Sequence, residues 1–269
     1  MAPPVPGQVL RALWSYRGFI AGSVKREFQS RYQNSVLGAA WTVLQPLALI
    51  VVYTVVFATV MRARLPGVDN TFAYSIYLCA GVLTWELFAE ITRRGQTVFI
   101  DNANLLKKLS FPRISLPVTV IAGSLVNFSI VFSLFTLFLL VTGNFPGLPF
   151  IACVPVIATL VLFAIGLGIA LGILNVFFRD VGQFFTIALQ FWFWLTPVVY
   201  PADILPAVAQ RWLAFNPMTP IITAMQQIFV FGRWPQWSSL VPVLLLSLLL
   251  CAWGWRLFRR HSGELVDEL

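Results

Sequence analysis

Two carboxylates, Glu86 and Glu90, stand four residues apart in an apolar run, with Arg93 and Arg94 just beyond them. That spacing puts both acids on one face of a helix and lets Glu90 pair with an arginine three or four positions ahead. A carboxylate at the centre of a bilayer costs at least ~2.5 kcal/mol on insertion scales and usually has a job. Counted from Ala73, the apolar stretch is nearly finished by Ile91, so the pair is expected near the cytoplasmic end of a span. The expectation is an interfacial ion-pair cluster, with no carboxylate at mid-depth to relay protons.

Other chemistries lack their residues. The single histidine, His261, falls in the basic C-terminal stretch, which leaves imidazole-based metal ligation or acid–base catalysis without a ligand set. The chain has no G-x-x-x-x-G-K-[ST] and no Gly-Lys pair, so it cannot hold ATP phosphates in a P-loop. Cys79, Cys153 and Cys251 are odd in number, lie in apolar segments and have no C-x-x-C spacing; they read as packing residues. No catalytic residue, metal site or cofactor is expected, and the chain does not read as an enzyme.

Aromatic residues make up 15% of the chain and are densest at Phe184, Phe185, Phe191, Trp192, Phe193, Trp194 and Tyr200. Phe184 and Phe191, and Phe185 and Trp192, are seven apart and form two neighbouring stripes on one helical face. Two readings stand: lipid-facing belts and core packing, or a pore lined with rings on which sugar C–H surfaces slide. In the second, Trp41 and Tyr53 of the first span, with Phe184, Phe185, Phe191, Trp192 and Tyr200, are the candidate channel aromatics.

What must position these residues is a membrane-embedded helical fold. The chain is 59% hydrophobic and 10% charged, against roughly 45–50% and 25% for soluble domains, so it cannot cover a water-facing surface. In hydrocarbon only helices and closed barrels satisfy their own backbone, and the apolar runs are too long for barrel strands of roughly 10 residues. Runs of about 20 residues suit a ~30 Å core. They fall at Leu37 to Val60, Ala73 to Ile91, Leu116 to Val141, Phe150 to Phe177, Val181 to Tyr200 and Leu240 to Phe258. The fold class is all-α: a polytopic membrane protein with about six transmembrane helices, an N-terminal amphipathic interface helix and a re-entrant helical hairpin on the outer side.

The amphipathic helix precedes the first span, where Leu10, Leu13, Trp14, Ile20, Val24 and Phe28 recur at helical spacing. Arg17 interrupts the apolar stripe, although its side chain can snorkel. The hairpin lies within 201–237, which carries Pro201, Pro206, Pro217, Pro220 and Pro235 around an apolar piece, Ile221 to Phe231, too short to span. A cytoplasmic N-terminus places fourteen of the 18 basic residues inside and only Arg62, Arg64, Arg211 and Arg233 outside. The positive-inside rule selects this orientation, and the net charge of +8 is read as topological, with anionic lipid and not nucleic acid as its partner. The organisation follows: a cytoplasmic N-terminus over 1–34, a transmembrane domain over 35–258 with an inner loop at 93–113, and a cytoplasmic tail over 259–269. In the inner loop, V-F-I-D-N-A-N-L-L-K-K-L-S-F-P-R (Val98 to Arg113), Asp101 or Asn102 can cap a short basic helix. Its Leu105, Leu106 and Leu109 would be exposed as a docking surface for a soluble partner.

The motifs in this framework resemble the ABC-2 type permeases that export polysaccharides and polyol phosphates. The resemblance is carried by V-K-R-E-F-Q-S-R-Y-Q-N-S-V-L-G-A-A-W-T-V-L-Q-P-L (Val24 to Leu47), N-A-N-L-L-K-K-L-S-F-P-R (Asn102 to Arg113), L-N-V-F-F-R-D-V (Leu174 to Val181), L-T-P-V-V-Y-P (Leu195 to Pro201) and N-P-M-T-P-I (Asn216 to Ile221). It implies a homodimeric permease in a bacterial inner membrane, working with two copies of a separate ABC ATPase. The cargo it implies is an undecaprenyl-diphosphate-linked polysaccharide of O-antigen type; a capsule or teichoic-acid exporter, or a drug or small-lipid exporter, is the alternative. The N-terminal helix would then be a cytoplasmic gate, with Tyr16, Lys25, Arg26, Arg31 and Tyr32 at the headgroup. Asn102, Asn104, Leu105, Leu106, Lys107 and Lys108 would form the ATPase-coupling helix, and Pro201 to Phe231 the outer gate. Glu86, after Trp85, departs from the family pattern, in which neutral residues are commoner.

The orientation is checked with reporters: one active only in the cytoplasm should signal when fused after Leu269 and stay silent when inserted at Gly67.

Overall fold

Helices that are apolar on most faces must bury against one another or against lipid, and the chain does both. The structure, a computed structural model, describes residues 16–31, 38–60, 65, 70–108 and 115–261. Ten α-helices follow in order among these: α1 (Arg17–Arg31), α2 (Trp41–Tyr53), α3 (Ala73–Asp101), α4 (Ala103–Lys108), α5 (Ser115–Val141), α6 (Cys153–Phe177), α7 (Asp180–Trp194), α8 (Ala207–Leu213), α9 (Met218–Phe231) and α10 (Trp237–His261). Wider π-type turns prolong α2 from Thr54 to Val60, a 3-10 turn over Leu148–Ala152 leads into α6, and the described residues contain no strand. The helices α3, α5, α6 with its lead-in, and α10 are each 25 to 30 residues long and apolar enough to cross a membrane. Alongside them, α2, α7 and α9 are shorter apolar helices, which makes the fold an all-α polytopic one.

The hub is α3, buried along almost its whole length by α5, α6 and α9. In turn α6 packs along α10. Between apolar helices in lipid, close approach at small residues replaces the hydrophobic drive. A Cβ on Gly172 would sit 2.5 Å from the Gly95 carbonyl oxygen, and one on Gly166 would sit 2.8 Å from the Cys251 nitrogen. These glycines therefore set the α3–α6 and α6–α10 spacings. Three buried hydroxyls are satisfied inside their own helices: Thr84, Thr92 and Ser247 each donate to the carbonyl four residues back at 2.7 Å.

Three expected boundaries move. Helix α3 runs on to Asp101 instead of stopping at Ile91. An apolar count ends a span where charges begin, but here the charges are held by neighbours: Arg94 pairs with Glu90 at 3.2 Å, and Gly95 and Gln96 are buried. Glu86 is consequently the fourteenth of 29 residues, midway along the helix and not toward its end. The fifth span is helical only to Trp194, six residues short of Tyr200. The N-terminal helix is described from Arg17, whose side chain is exposed; Ile20 and Val24 are half-buried, and α1 packs along α5.

Overpacking a close helix contact typically costs 1–3 kcal/mol. Gly172→Leu should therefore lower the melting temperature of the detergent-solubilised protein by several degrees. Gly18→Ala, whose added methyl has nothing within 4 Å, should leave it unchanged.

Candidate functional site

At the C-terminal end of α7 the chain unwinds. Thr196 lies between α7 and Pro197, and prolines at 197 and 201 remove two backbone donors, so a helix cannot continue. Non-helical backbone at membrane depth is tolerated only where protein satisfies it, and every carbonyl from Leu195 to Tyr200 has a donor. Asn216 Nδ2 donates to the Leu195 carbonyl at 3.1 Å, and the Val198 amide to that of Thr196 at 2.7 Å. Gln226 Nε2 donates to the carbonyls of Pro197 and Val198 at 3.1 and 3.3 Å. From α3, the Tyr74 hydroxyl reaches Val199 at 3.0 Å, and that of Tyr77 reaches Pro197 at 3.2 Å and Tyr200 at 2.9 Å.

Asn216 also forms the turn of the hairpin made by α8 and α9. Its Oδ1 accepts from Trp192 Nε1 at 2.8 Å and from the Met218 amide at 3.0 Å. Trp192 in turn meets Phe88, deep on α3, edge-on at 5.2 Å. The turn of the hairpin is thus tied through Trp192 to the packing around Phe88.

Below this clamp, α3 and α7 diverge into a cleft of about 370 Å³. Glu86 and Arg93 line one wall; Thr186, Gln190, Phe193 and Trp194 line the other. The two acids therefore part company. Glu90 turns away from the cleft, binds Arg94 at 3.2 Å and accepts from Asn127 Nδ2 on α5 at 3.0 Å. Asn127 is the thirteenth of the 27 residues of α5, so this α3–α5 tie is midway along that helix. The expected ion pair is thus present between Glu90 and Arg94, whereas Glu86 and Arg93 stand apart from it and line the cleft.

The aromatic stripes separate as well. Phe185 is buried and Trp192 packs inward against Phe88 and Phe163, whereas Phe184 and Phe191 are exposed on the outer surface of α7. The two stripes do not share one lining face. Trp41 is exposed, Tyr53 is half-buried with its ring against Phe57, and the Tyr200 hydroxyl donates to the Trp194 carbonyl at 2.8 Å. Tyr200 borders a second, apolar cavity of about 640 Å³ with Trp192, Trp212 and Phe215.

At the inner end, the short helix α4 follows a break at Asn102, whose carbonyl accepts from the amides of Leu105 and Leu106 at 3.0 Å. Its side chain donates back to the Val98 carbonyl at 2.8 Å. Leu106 is buried among Val98, Phe99, Leu116 and Phe258, with Leu105 packed against them. These leucines face the bundle and not the cytoplasm as expected, and they leave Asn104 and Lys107 on the exposed side. Lys108 ends α4, and Leu109 lies outside the described residues. Between α1, α3 and α5 a cavity of about 740 Å³ is lined by Arg26, Arg94, Asp101 and Asn102. Tyr16 is half-buried at the start of α1, Lys25 is exposed on it, Arg31 ends it, and Tyr32 lies outside the described residues. His261 is tied to the Leu257 carbonyl at 3.2 Å and packs on Phe177. No group of metal-ligating side chains occurs among the described residues.

Sequence reasoning missed Asn216, Gln226, Tyr74 and Tyr77, which act through single hydrogen bonds and leave no periodic trace. It also missed Thr186 and Gln190, although their i, i+4 spacing puts two polar residues on one helical face, visible in the sequence.

A helical bundle that unwinds at membrane depth and opens a charged cleft beside the break has the architecture of a membrane transporter. Comparison with known proteins gives the particular family. The profile described as ABC-2 type transporter matches residues 20–230, and the chain belongs to that family. It is 30% identical over 264 residues to the O-antigen export system permease protein RfbA of Myxococcus xanthus, covering 97% of this chain and 99% of the relative. An RfbA of Klebsiella pneumoniae is 30% identical over 208 residues, 77% of this chain and 78% of the relative. The polysialic acid transport protein KpsM of Escherichia coli is 20% identical over 247 residues, 90% and 93% of the two chains. Permeases of this family are multi-pass transmembrane subunits whose ATPase is a separate subunit, so membership implies an ABC ATPase as partner.

A buried carbonyl that loses its donor costs about 1–3 kcal/mol. Asn216→Leu and Gln226→Leu should each destabilise the protein by that amount in thermal unfolding. Protease sensitivity should rise within 195–217 before it rises in α5 or α10.

Proposed function

We propose that this chain is the permease subunit of an ABC exporter that moves a lipid-linked polysaccharide of O-antigen type across a bacterial inner membrane. The observation that carries the reading is the 30% identity to an O-antigen export permease over 97% of this chain and 99% of that one. Identity to the polysialic acid transport protein is lower, 20%, which favours O-antigen over capsule cargo. Two copies face one another, each bringing to the shared path the uncovered face of α7 with Phe184, Phe191 and Trp194. Support for that placement is physical: charge is costly to leave facing lipid, and the Glu86–Arg93 cleft opens beside this face.

Both termini are cytoplasmic, and two ATPase subunits seat against the inner loop, where Asn104 and Lys107 are exposed. ATP-driven closure of the ATPases reaches α3 directly, because α4 follows it after one residue and is anchored in the bundle by Leu106. The anionic diphosphate of the lipid carrier is drawn to Lys25, Arg26 and Arg31 on the gate helix. Arg26 lines the inner cavity, which gives the headgroup a place to enter.

The test is export of polysaccharide by cells carrying the permease with its ATPase. Replacing Lys25, Arg26 and Arg31 by glutamine should cut export at least about tenfold, since each basic residue near an anionic surface is worth roughly 1 kcal/mol. The protein should still accumulate in the membrane. Undiminished export would remove the headgroup assignment, and ATP hydrolysis by the purified chain alone would remove the reading as a whole.

A further inference from the structure

Most polar side chains in the bundle are used by the bundle. Asn127 and Arg94 hold Glu90, Asn175 accepts from the Gly182 amide at 2.9 Å, and Asn216, Gln226, Tyr74 and Tyr77 hold the unwound segment. The α3–α7 cleft is different. Glu86 and Gln190 line it and make no hydrogen bond to another described residue. Arg93 spends only its Nε, on the Ala89 carbonyl at 3.3 Å, and Thr186 donates to the Gly182 carbonyl at 3.0 Å while its oxygen can still accept. A carboxylate, a guanidinium and an amide with spare bonding capacity therefore share one opening midway along α3.

The composition of this set selects its ligand. A phosphate or other anion would call for basic groups without a facing acid, and a cation for several acids. One acid and one base bring the formal charge of the set to zero and leave donors and acceptors in both senses. A hydroxyl is both donor and acceptor, so a polyol matches the set. The aromatic side chains fit the same ligand: Trp85, Phe193 and Trp194 line the cleft, with the rings of Trp85 and Phe193 edge-on at 5.6 Å. Rings of this kind give a flat apolar face to the C–H side of a pyranose while the polar groups take its hydroxyls. The volume, about 370 Å³, falls at the lower end of the ~300–1,000 Å³ usual for small-molecule sites.

We propose that Glu86, Arg93 and Gln190, backed by Phe193 and Trp194, form a saccharide-binding station halfway along the path, which takes the hydroxyls of one or two neutral sugar units of the passing chain. This rests on the export reading above and deepens it by naming where the glycan is held and by which groups. The contacts are few and the opening shallow, which suits a chain that must be released at each step.

The experiment uses cells that express the permease with its ATPase and synthesise the polysaccharide. Wild type must export; if it exports no polysaccharide, the export reading fails and this one with it. Given wild-type export, Glu86→Leu should lower it about tenfold or more and Gln190→Leu about threefold, the ranges for a charge-assisted and a neutral hydrogen bond. Glu86→Gln, which can still bond a hydroxyl, should retain most of it. Wild-type rates in Glu86→Leu would overturn the proposal. So would a Glu86→Gln variant as poor as Glu86→Leu, which would make the charge itself, and hence a partner copy or Arg93, the requirement.

A second measurement does not depend on how well these variants fold. With Cys79, Cys153 and Cys251 replaced by serine, Glu86→Cys should react with a charged, membrane-impermeant thiosulfonate. That reaction should be lost while polysaccharide synthesis is switched on and return when it is off. A thiol that never reacts, or reacts equally in both states, would overturn the assignment.

Discussion

A peptide carbonyl placed in hydrocarbon must find a donor within the protein, and this requirement organises the half of the molecule around the end of α7. From Leu195 to Tyr200 the backbone is not helical, yet each of its carbonyls is met, two of them by a glutamine on α9 and three by tyrosines on α3. The prolines that stop α7 thus create a need that two other elements fill. The hairpin is seated there because its turn and its second helix carry the missing donors. Its apolar length alone would let it lie anywhere on the outer surface.

Asparagines recur at the places where the chain changes direction. Asn102 closes α3 and opens α4, Asn175 binds the first turn of α7 across the α6–α7 corner, and Asn216 joins the hairpin to α7. Each has both a donor and an acceptor on a short side chain, so one residue can satisfy backbone groups on either side of a bend. The motifs Asn102 to Arg113, Leu174 to Val181 and Asn216 to Ile221 are thereby given a common physical content: each begins at or contains a corner that would otherwise leave polar backbone unmet.

Much of the fold was legible because lipid-facing helices announce themselves by length and apolarity; α5, α6 and α10 lie where the apolar runs put them. What was not legible was anything decided by a neighbour. The continuation of α3 past Arg93 depends on Glu90, Asn127 and the glycine contact with α6, which hydropathy does not report. Leu105 and Leu106 were similarly misjudged: in a loop, exposed leucines suggest a docking surface, but Phe99 and Phe258 provide a place for them inside. Phe184 and Phe185 are adjacent in sequence and opposite in environment, a difference set by packing against α3 and α6.

The helix α7 is fastened at both extremities and loosely elsewhere. Near its first turn the Gly182 amide is bound by Asn175, and near its last turn Trp192 is bound by Asn216. The helix that carries both anchors is 15 uninterrupted residues, about 22 Å long, with much of its surface uncovered. A helix held this way is a connecting rod: stiff along its axis, it ties the position of the α6–α7 corner to that of the hairpin, so that a displacement of one end along the axis is a displacement of the other.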